Sequence, residues 1–329
     1  MSSRRIFVLA GLLLLLTSAA CTATPVPSSP PPPTATSVPQ NAPATSTAAP
    51  EASATSIPPS PTAERPVAAR VNGEPIYLDE YELELERYKN SLQAQGIDLE
   101  SQEGQDRLAQ ARGWILNMMI EQVLTEQAAE QAGIEVTDTE VEQYMQNMVA
   151  ESGGEEAFRA KLEEWGETYE HAKKEVRAQL IGMQMTERVV AQVPDSAEQV
   201  HARHILVDTR EEAERIHSQL EAGADFAALA KAHSQDRSTR EHGGDLGYFP
   251  RGILVSSEVE EAAFSLQPGQ YSGVISSPLG FHIVQVVERE PDRSVGTENL
   301  QLLRERAVQD WVESLWAQAD VERFIEAGP

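Results

Sequence analysis

Ala202-Arg203-His204-Ile205-Leu206-Val207, Gly243-Gly244-Asp245-Leu246-Gly247 and Gly280-Phe281-His282-Ile283 succeed one another along the second half of this chain, and reading them decides its fold. The first run alternates as a strand does. Phe281 to Glu288 reads as another, with Phe281, Ile283 and Gln285 on one face and His282, Val284 and Val286 on the other. Between them, Thr209 with Glu212 makes a capping box for a helix that carries Ala213, Ile216 and Leu220 and stops at Gly223. Phe226, Leu229 and Ala230 mark a second helix. After the glycine run, Ser257 and Glu260 cap a third helix through Phe264, and Pro268-Gly269 makes a turn. The order β-α-α-β-α-β-β predicts an α+β fold, a small antiparallel sheet wrapped by helices.

Together with Asp225 to Ala230, Ser234-Gln235-Asp236 and Ala262-Ala263-Phe264, these runs resemble the parvulin-type (PpiC, rotamase) peptidyl-prolyl isomerases over residues 199–291. The resemblance implies an isomerase whose catalytic residues are His204, His282 and Asp236. The histidines would pair on adjacent central strands and fix one another's tautomer. Asp236 stands where the family carries Cys or Asp beside the rotating carbonyl. Leu246, Leu254, Val259 and Phe281 are the implied substrate-binding residues, and Ser277 matches a family Thr or Ser that hydrogen-bonds near the histidines.

Two departures stand out. The family places a Phe where this chain has Val259, and losing that ring contact weakens proline binding by on the order of 1 kcal/mol. The segment Gly252 to Ser257 is also one residue longer than the common pattern, which leaves Leu254 and Val255 as alternatives for one pocket position. Rotation about an X-Pro bond makes and breaks no covalent bond, so no cofactor and no metal are expected. The five other histidines show no metal-ligand spacing.

Working outward, folded sequence starts near Val67. Arg70-Val71-Asn72-Gly73-Glu74-Pro75-Ile76 reads as a hairpin, since Asn-Gly tolerates positive φ. Apolar periodicity predicts helices over Tyr77 to Ser91 and Ala111 to Ala132. Thr137 and Glu140 cap a helix through Val149, another spans Glu155 to Glu164, and a long one runs from His171 to Val193, closed by Pro194. This layout resembles the N-terminal chaperone domain of SurA-type and PrsA-type foldases. The expected chaperone region is 67–198, with the parvulin-like unit inserted before a C-terminal segment, 292–329. In that segment Leu300, Leu303, Ala307, Trp311 and Leu315 form an apolar stripe that needs a partner. The resemblance implies that it returns to the N-terminal helices, and the alternative is a dimerisation helix. Val321 to Ile325 is expected to pair as a strand with Arg70 to Ile76.

At the other end, Arg4-Arg5, the apolar stretch Ile6 to Leu16 and Ser18-Ala19-Ala20 read as a signal peptide, residues 1–20, whose apolar stretch is too short to span a bilayer. Cys21, the only cysteine, follows directly and resembles the lipidated residue of a bacterial lipobox, although Ser18 stands where a leucine is usual. Plain cleavage after Ala20 is the alternative. Residues 22–66 are almost entirely Pro, Ser, Thr and Ala and predict an extended tether, reaching at most about 140 Å at roughly 3.1 Å per residue. The formal net charge of -26 over 329 residues excludes a nucleic-acid partner, which would need a basic surplus.

The implied function is an isomerase and foldase for extended exported polypeptides, lipid-anchored to the extracytoplasmic face of a bacterial membrane. Two alternatives remain: a non-catalytic holdase using the parvulin unit as a peptide-binding module, and a scaffolding surface lipoprotein.

Overall fold

The turn at Asn72 and Gly73, with φ of +52° and +89°, joins β1 (Val67–Val71) to β2 (Glu74–Tyr77) in the computed structural model, which describes residues 65–325. The expectations for the signal peptide, Cys21 and nearly all of the tether lie outside the described residues. α1 (Leu78–Ala94) follows directly and buries Tyr81 and Leu92. α2 (Gln102–Gln131) begins well before the expected Ala111, because Ser101 caps it, its hydroxyl accepting from the Gly104 N–H at 3.1 Å. Its first turns are polar, so apolar periodicity could not register them.

α3 (Asp138–Glu151) starts on a complete capping box: Glu140 Oε2 accepts from the Thr137 N–H at 2.7 Å, and Thr137 Oγ1 accepts from the Glu140 N–H at 3.3 Å. α4 (Glu155–Glu164) and α5 (Tyr169–Val190) follow, α5 capped by Thr168. α5 ends at Val190 and not Val193, since the N–H groups of Gln192 and Val193 donate three residues back, to the Val189 and Val190 carbonyls, and not four.

The chain then builds a four-stranded sheet. β3 (Ser196–Val207) leads to α6 (Arg210–Glu221), α7 (Phe226–His233), β4 (Asp245–Pro250), α8 (Ser257–Ser265), β5 (Ile275–Ser277) and β6 (Gly280–Ser294). The strand order is β4-β3-β6-β5, antiparallel throughout. β3 and β6 both outrun their expected lengths because each keeps pairing with the other, out to Ser196 opposite Ser294. Two expected caps are corrected. Thr209 Oγ1 accepts from the Glu212 N–H at 3.2 Å, but the Glu212 carboxylate binds Arg215 and closes no box. Ser256, not Ser257, caps α8.

Both faces of this sheet are covered. Val200, Ala202, Val284 and Val286 pack with Phe249, Val259, Ala263 and Phe264 on one side. Ile205, Val207 and Ile283 pack with Ala213, Ile216, Phe226 and Ala230 of α6 and α7 on the other. Each large side chain buried this way is worth about 1.5–3 kcal/mol.

α9 (Thr297–Gln318) then returns to lie against α2 and α5, and β7 (Val321–Arg323) pairs antiparallel with β1, giving the order β2-β1-β7. Leu315, Trp316 and Val321 pack on the cluster that holds Ala68, Ile115, Leu116 and Ile120. Leu315, at the end of the apolar C-terminal stripe, thus packs within the chain. From Pro66 onward the chain forms one compact unit.

Candidate active site

His204 and His282 come from the two central strands, with His204 opposite Val284 and His282 opposite Leu206 in the β3–β6 register. Alternation along each strand sends both rings to the same face as Ala202 and Val284. The rings stack with centroids 5.7 Å apart and an interplanar angle of 26°. Both are buried, with 8 % and 2 % of their surface exposed.

The glycine run makes this approach achievable. Gly244 has a φ of +78°, its carbonyl accepts from the His204 N–H at 2.8 Å, and a Cβ there would stand 2.0 Å from the His204 carbonyl oxygen. No side chain fits. Gly280, with φ of +134°, likewise lets the β5–β6 turn close against the Val207 carbonyl, 2.7 Å from where its Cβ would be.

Asp236 is brought to His204 by a short stitched segment. Gln235 N–H donates to the Leu206 carbonyl at 2.7 Å, and the buried Ser234 hydroxyl accepts from the N–H groups of Leu206 and Asp236 at 3.2 and 3.3 Å. His204 Nε2 then lies 2.7 Å from Asp236 Oδ2. Burial acts to raise the Asp236 carboxyl. It is outweighed by hydrogen bonds from the Ser238 hydroxyl, the Thr239 hydroxyl, His204 and the Ser238 N–H, which hold the group well below the usual carboxylate range. An ionised carboxylate only accepts, so His204 carries a proton on Nε2.

His282 has a different partner, Ser277 Oγ, 2.8 Å from its Nε2, while its Nδ1 is buried with no hydrogen-bond partner. Burial first, and the neighbouring His204 second, push the His282 ring down to about 4, against the opposing pull of Glu258 and Asp236. It is neutral at physiological pH. The expectation that the two imidazoles fix one another's tautomer is thus corrected: Asp236 orients one ring and Ser277 the other.

The apolar candidates divide. Leu246, Leu254 and Val259 pack in the cluster on the histidine face. Of the two alternatives for one pocket position, Leu254 packs in this cluster and Val255 is 91 % exposed. Phe281 does not join them. It falls on the opposite face with Ile205, Val207 and Ile283, its ring under the Arg210 guanidinium at 5.2 Å, and its expected place at the substrate is corrected. A one-residue step along a strand reverses the face, and Phe281 adjoins His282.

Sequence reasoning missed Ser238 and Thr239. A signal existed: an Asp followed two and three residues later by hydroxyl side chains forms a side-chain-to-backbone turn, here with the Ser238 N–H 3.0 Å from Asp236 Oδ1. Among the described residues no group of acidic, His or Cys side chains is arranged to hold a metal.

Residues 199–288 match the PPIC-type PPIASE domain, and residues 59–164 match the SurA-like N-terminal domain. With its small antiparallel sheet, the chain is a parvulin-type peptidyl-prolyl isomerase. A foldase protein PrsA of Caldanaerobacter subterraneus subsp. tengcongensis is 32% identical over 285 residues, covering 79% of this chain and 88% of that protein. Another, of Halalkalibacterium halodurans, is 30% identical over 253 residues, covering 70% and 75%. Among solved structures, the peptidylprolyl isomerase PrsA of Bacillus anthracis is 27% identical, covering 62% of this chain and 94% of that one, with a TM-score of 0.43. The chain belongs to the PrsA foldase family.

Proposed function

We propose that this foldase isomerises X-Pro bonds in extended, exported polypeptides at the site built on His204, Asp236 and His282. The uncatalysed barrier is roughly 18–20 kcal/mol, which makes the step slow enough to limit folding. In the twisted transition state the amide loses conjugation, the carbonyl loses negative charge and the prolyl nitrogen regains a lone pair. Leu246, Leu254 and Val259 hold the ring away from water that would favour the planar amide. The stacked imidazoles, oriented by Asp236 and Ser277, form the polar floor beneath the rotating carbonyl. The observation that carries this reading is the 2.7 Å contact of Asp236 with a His204 ring stacked on His282.

Residues 67–198 and 292–329 act as the chaperone part around the 199–291 isomerase unit, which fits the return of α9 and β7 to the N-terminal elements. Cys21 is lipidated, and residues 22–66 tether the enzyme to the extracytoplasmic face of the membrane. Among the described residues no helix is long and apolar enough to cross a membrane. Mass spectrometry of the membrane fraction tests it: a diacylglyceryl adduct on Cys21, absent in Cys21→Ser, is expected, and an unmodified thiol overturns it.

For the isomerase site, cis/trans exchange of a short Ala-X-Pro-Phe peptide is followed by NMR exchange spectroscopy with the full chain. Asp236→Ala is expected to lower the catalysed rate by about 10- to 100-fold with the fold intact, the range for losing a hydrogen bond to a charged group. Unchanged catalysis removes Asp236 from the site.

A further inference from the structure

Glu260, on the first turn of α8, points its carboxylate at the preceding loop rather than into solvent. Its Oε1 accepts from the Gly252 N–H at 2.9 Å, and its Oε2 accepts from the N–H groups of Ile253 and Leu254 at 3.0 and 3.1 Å. Three successive amides in a loop without ladder partners thus close on one anion, a charge-assisted arrangement stronger than neutral hydrogen bonds. The same loop is held from its other side by the C-terminal helix. Arg306 Nη1 donates to the Gly252 carbonyl at 2.7 Å, and Leu303 packs where a Cβ on Gly252 would come within 3.2 Å. Gly252 has a φ of +90°, so the bend depends on glycine. Two residues on, Leu254 enters the apolar cluster on the histidine face.

We infer that Glu260 and Arg306 are positioning residues for the proline pocket, and that Arg306 couples the C-terminal helix to it. The inference rests on the reading of Leu254 as a pocket residue. A loop pinned at three N–H groups and one carbonyl presents Leu254 without ordering cost when the prolyl ring arrives. The pinning acts on binding and not on the polar groups that assist rotation, so its loss appears in KM and spares kcat.

The test uses the full chain and an Ala-X-Pro-Phe peptide, with kcat and KM from NMR exchange rates and hydrogen exchange at the amides of residues 252–254. Glu260→Gln is expected to raise KM about 3- to 10-fold, the net worth of about one ordinary hydrogen bond, with kcat within about twofold and faster exchange at those amides. Arg306→Ala, on the surface, is expected to raise KM about twofold, and Arg306→Lys, which keeps a cationic donor, to recover it. Leu254→Ala is the control. If it raises KM while Glu260→Gln and Arg306→Ala leave KM and the amides unchanged, the inference is overturned and the pocket reading stands. If Leu254→Ala leaves KM unchanged, the pocket reading falls, and this inference with it. An ineffective Arg306→Ala beside an effective Glu260→Gln removes the coupling to α9. Should Glu260→Gln fail to fold, Arg306→Ala decides.

Discussion

A methyl group on Gly244 meets two obstacles: a φ of +78° and the His204 carbonyl oxygen at 2.0 Å. Gly247 has a φ of +69° with nothing within 4 Å of the same position. Gly247→Ala should therefore cost about 1 kcal/mol, the conformational term alone, and Gly244→Ala at least about 2–3 kcal/mol, because backbone must move. Urea unfolding of the two variants checks this, and equal costs would refute the close-approach argument. His282 sets a pH dependence of its own. Its ring sits near 4 in the folded chain against an ordinary 6.5, so the unfolded chain takes up a proton first as pH falls. The stability this neutral ring contributes is whole above about pH 6.5 and is lost as pH falls towards about 4. Asp236 stays ionised throughout that window. Exchange rates should hold down to about pH 5 and decline near 4. A midpoint near 6.5 would mean that the ring is not protected by burial.

At the scale of elements, β7 shows how much a three-residue strand can hold. Phe324 N–H donates to the Ala68 carbonyl at 2.9 Å and Asn72 N–H to the Asp320 carbonyl at 2.8 Å. Asn72 Oδ1 accepts from the Asp320 N–H at 2.9 Å, and Arg323 reaches Asn117 Oδ1 at 2.8 Å. Four such bonds net about 2–6 kcal/mol. Truncation after Ala319 should lower stability by that amount and uncover the β1 edge, favouring association. Chemical denaturation with light scattering measures both effects, and an unchanged midpoint would show the pairing to be dispensable. α8 depends on its own start in a similar way: Ser256 caps the helix while Glu260, released from capping, holds the loop.

Taken whole, the chain carries a large acidic excess and concentrates some of it where α1, α2 and α5 meet. Arg87 binds Glu84 at 2.5 Å and Glu167 at 2.7 Å, and His171 lies 3.0 Å from Glu167. Burial first, then Glu84, Glu167 and Glu126, with Arg87 opposing, raise the Glu175 carboxyl to about 7. Between about 4.5 and 7 the folded chain holds more protons than the unfolded one, so this group's effect is to lower stability as pH rises. Glu175→Gln should raise the urea midpoint at pH 8 and leave it unchanged near pH 4.5. Because 43% of the side chain remains exposed, water screens the repulsion and the gain stays below about 1 kcal/mol. Equal midpoints at pH 8 would show that the cluster is solvated.

What the sequence alone determined lies within about one helical turn of itself. The Asn72-Gly73 turn, the Thr137–Glu140 box and the alternation along Phe281 to Val286 depend on neighbours a few residues away, and all are formed. The motifs also identified His204, Asp236, His282 and Ser277 as a set, and the fold brings these four together. Tertiary structure decided the rest. Which leucine or valine turns inward after Gly252 depends on Glu260 and Arg306, the latter 54 residues away. Which partner orients each imidazole depends on a loop stitched to β3 across 32 residues in one case and a strand turn in the other. Phe281 is the exception, since alternation alone sets it on the face opposite His282, and α6 and α7 only cover that face. Short-range sterics and hydrogen bonds are written in the order of residues, whereas these choices turn on surfaces that exist only once the strands have paired.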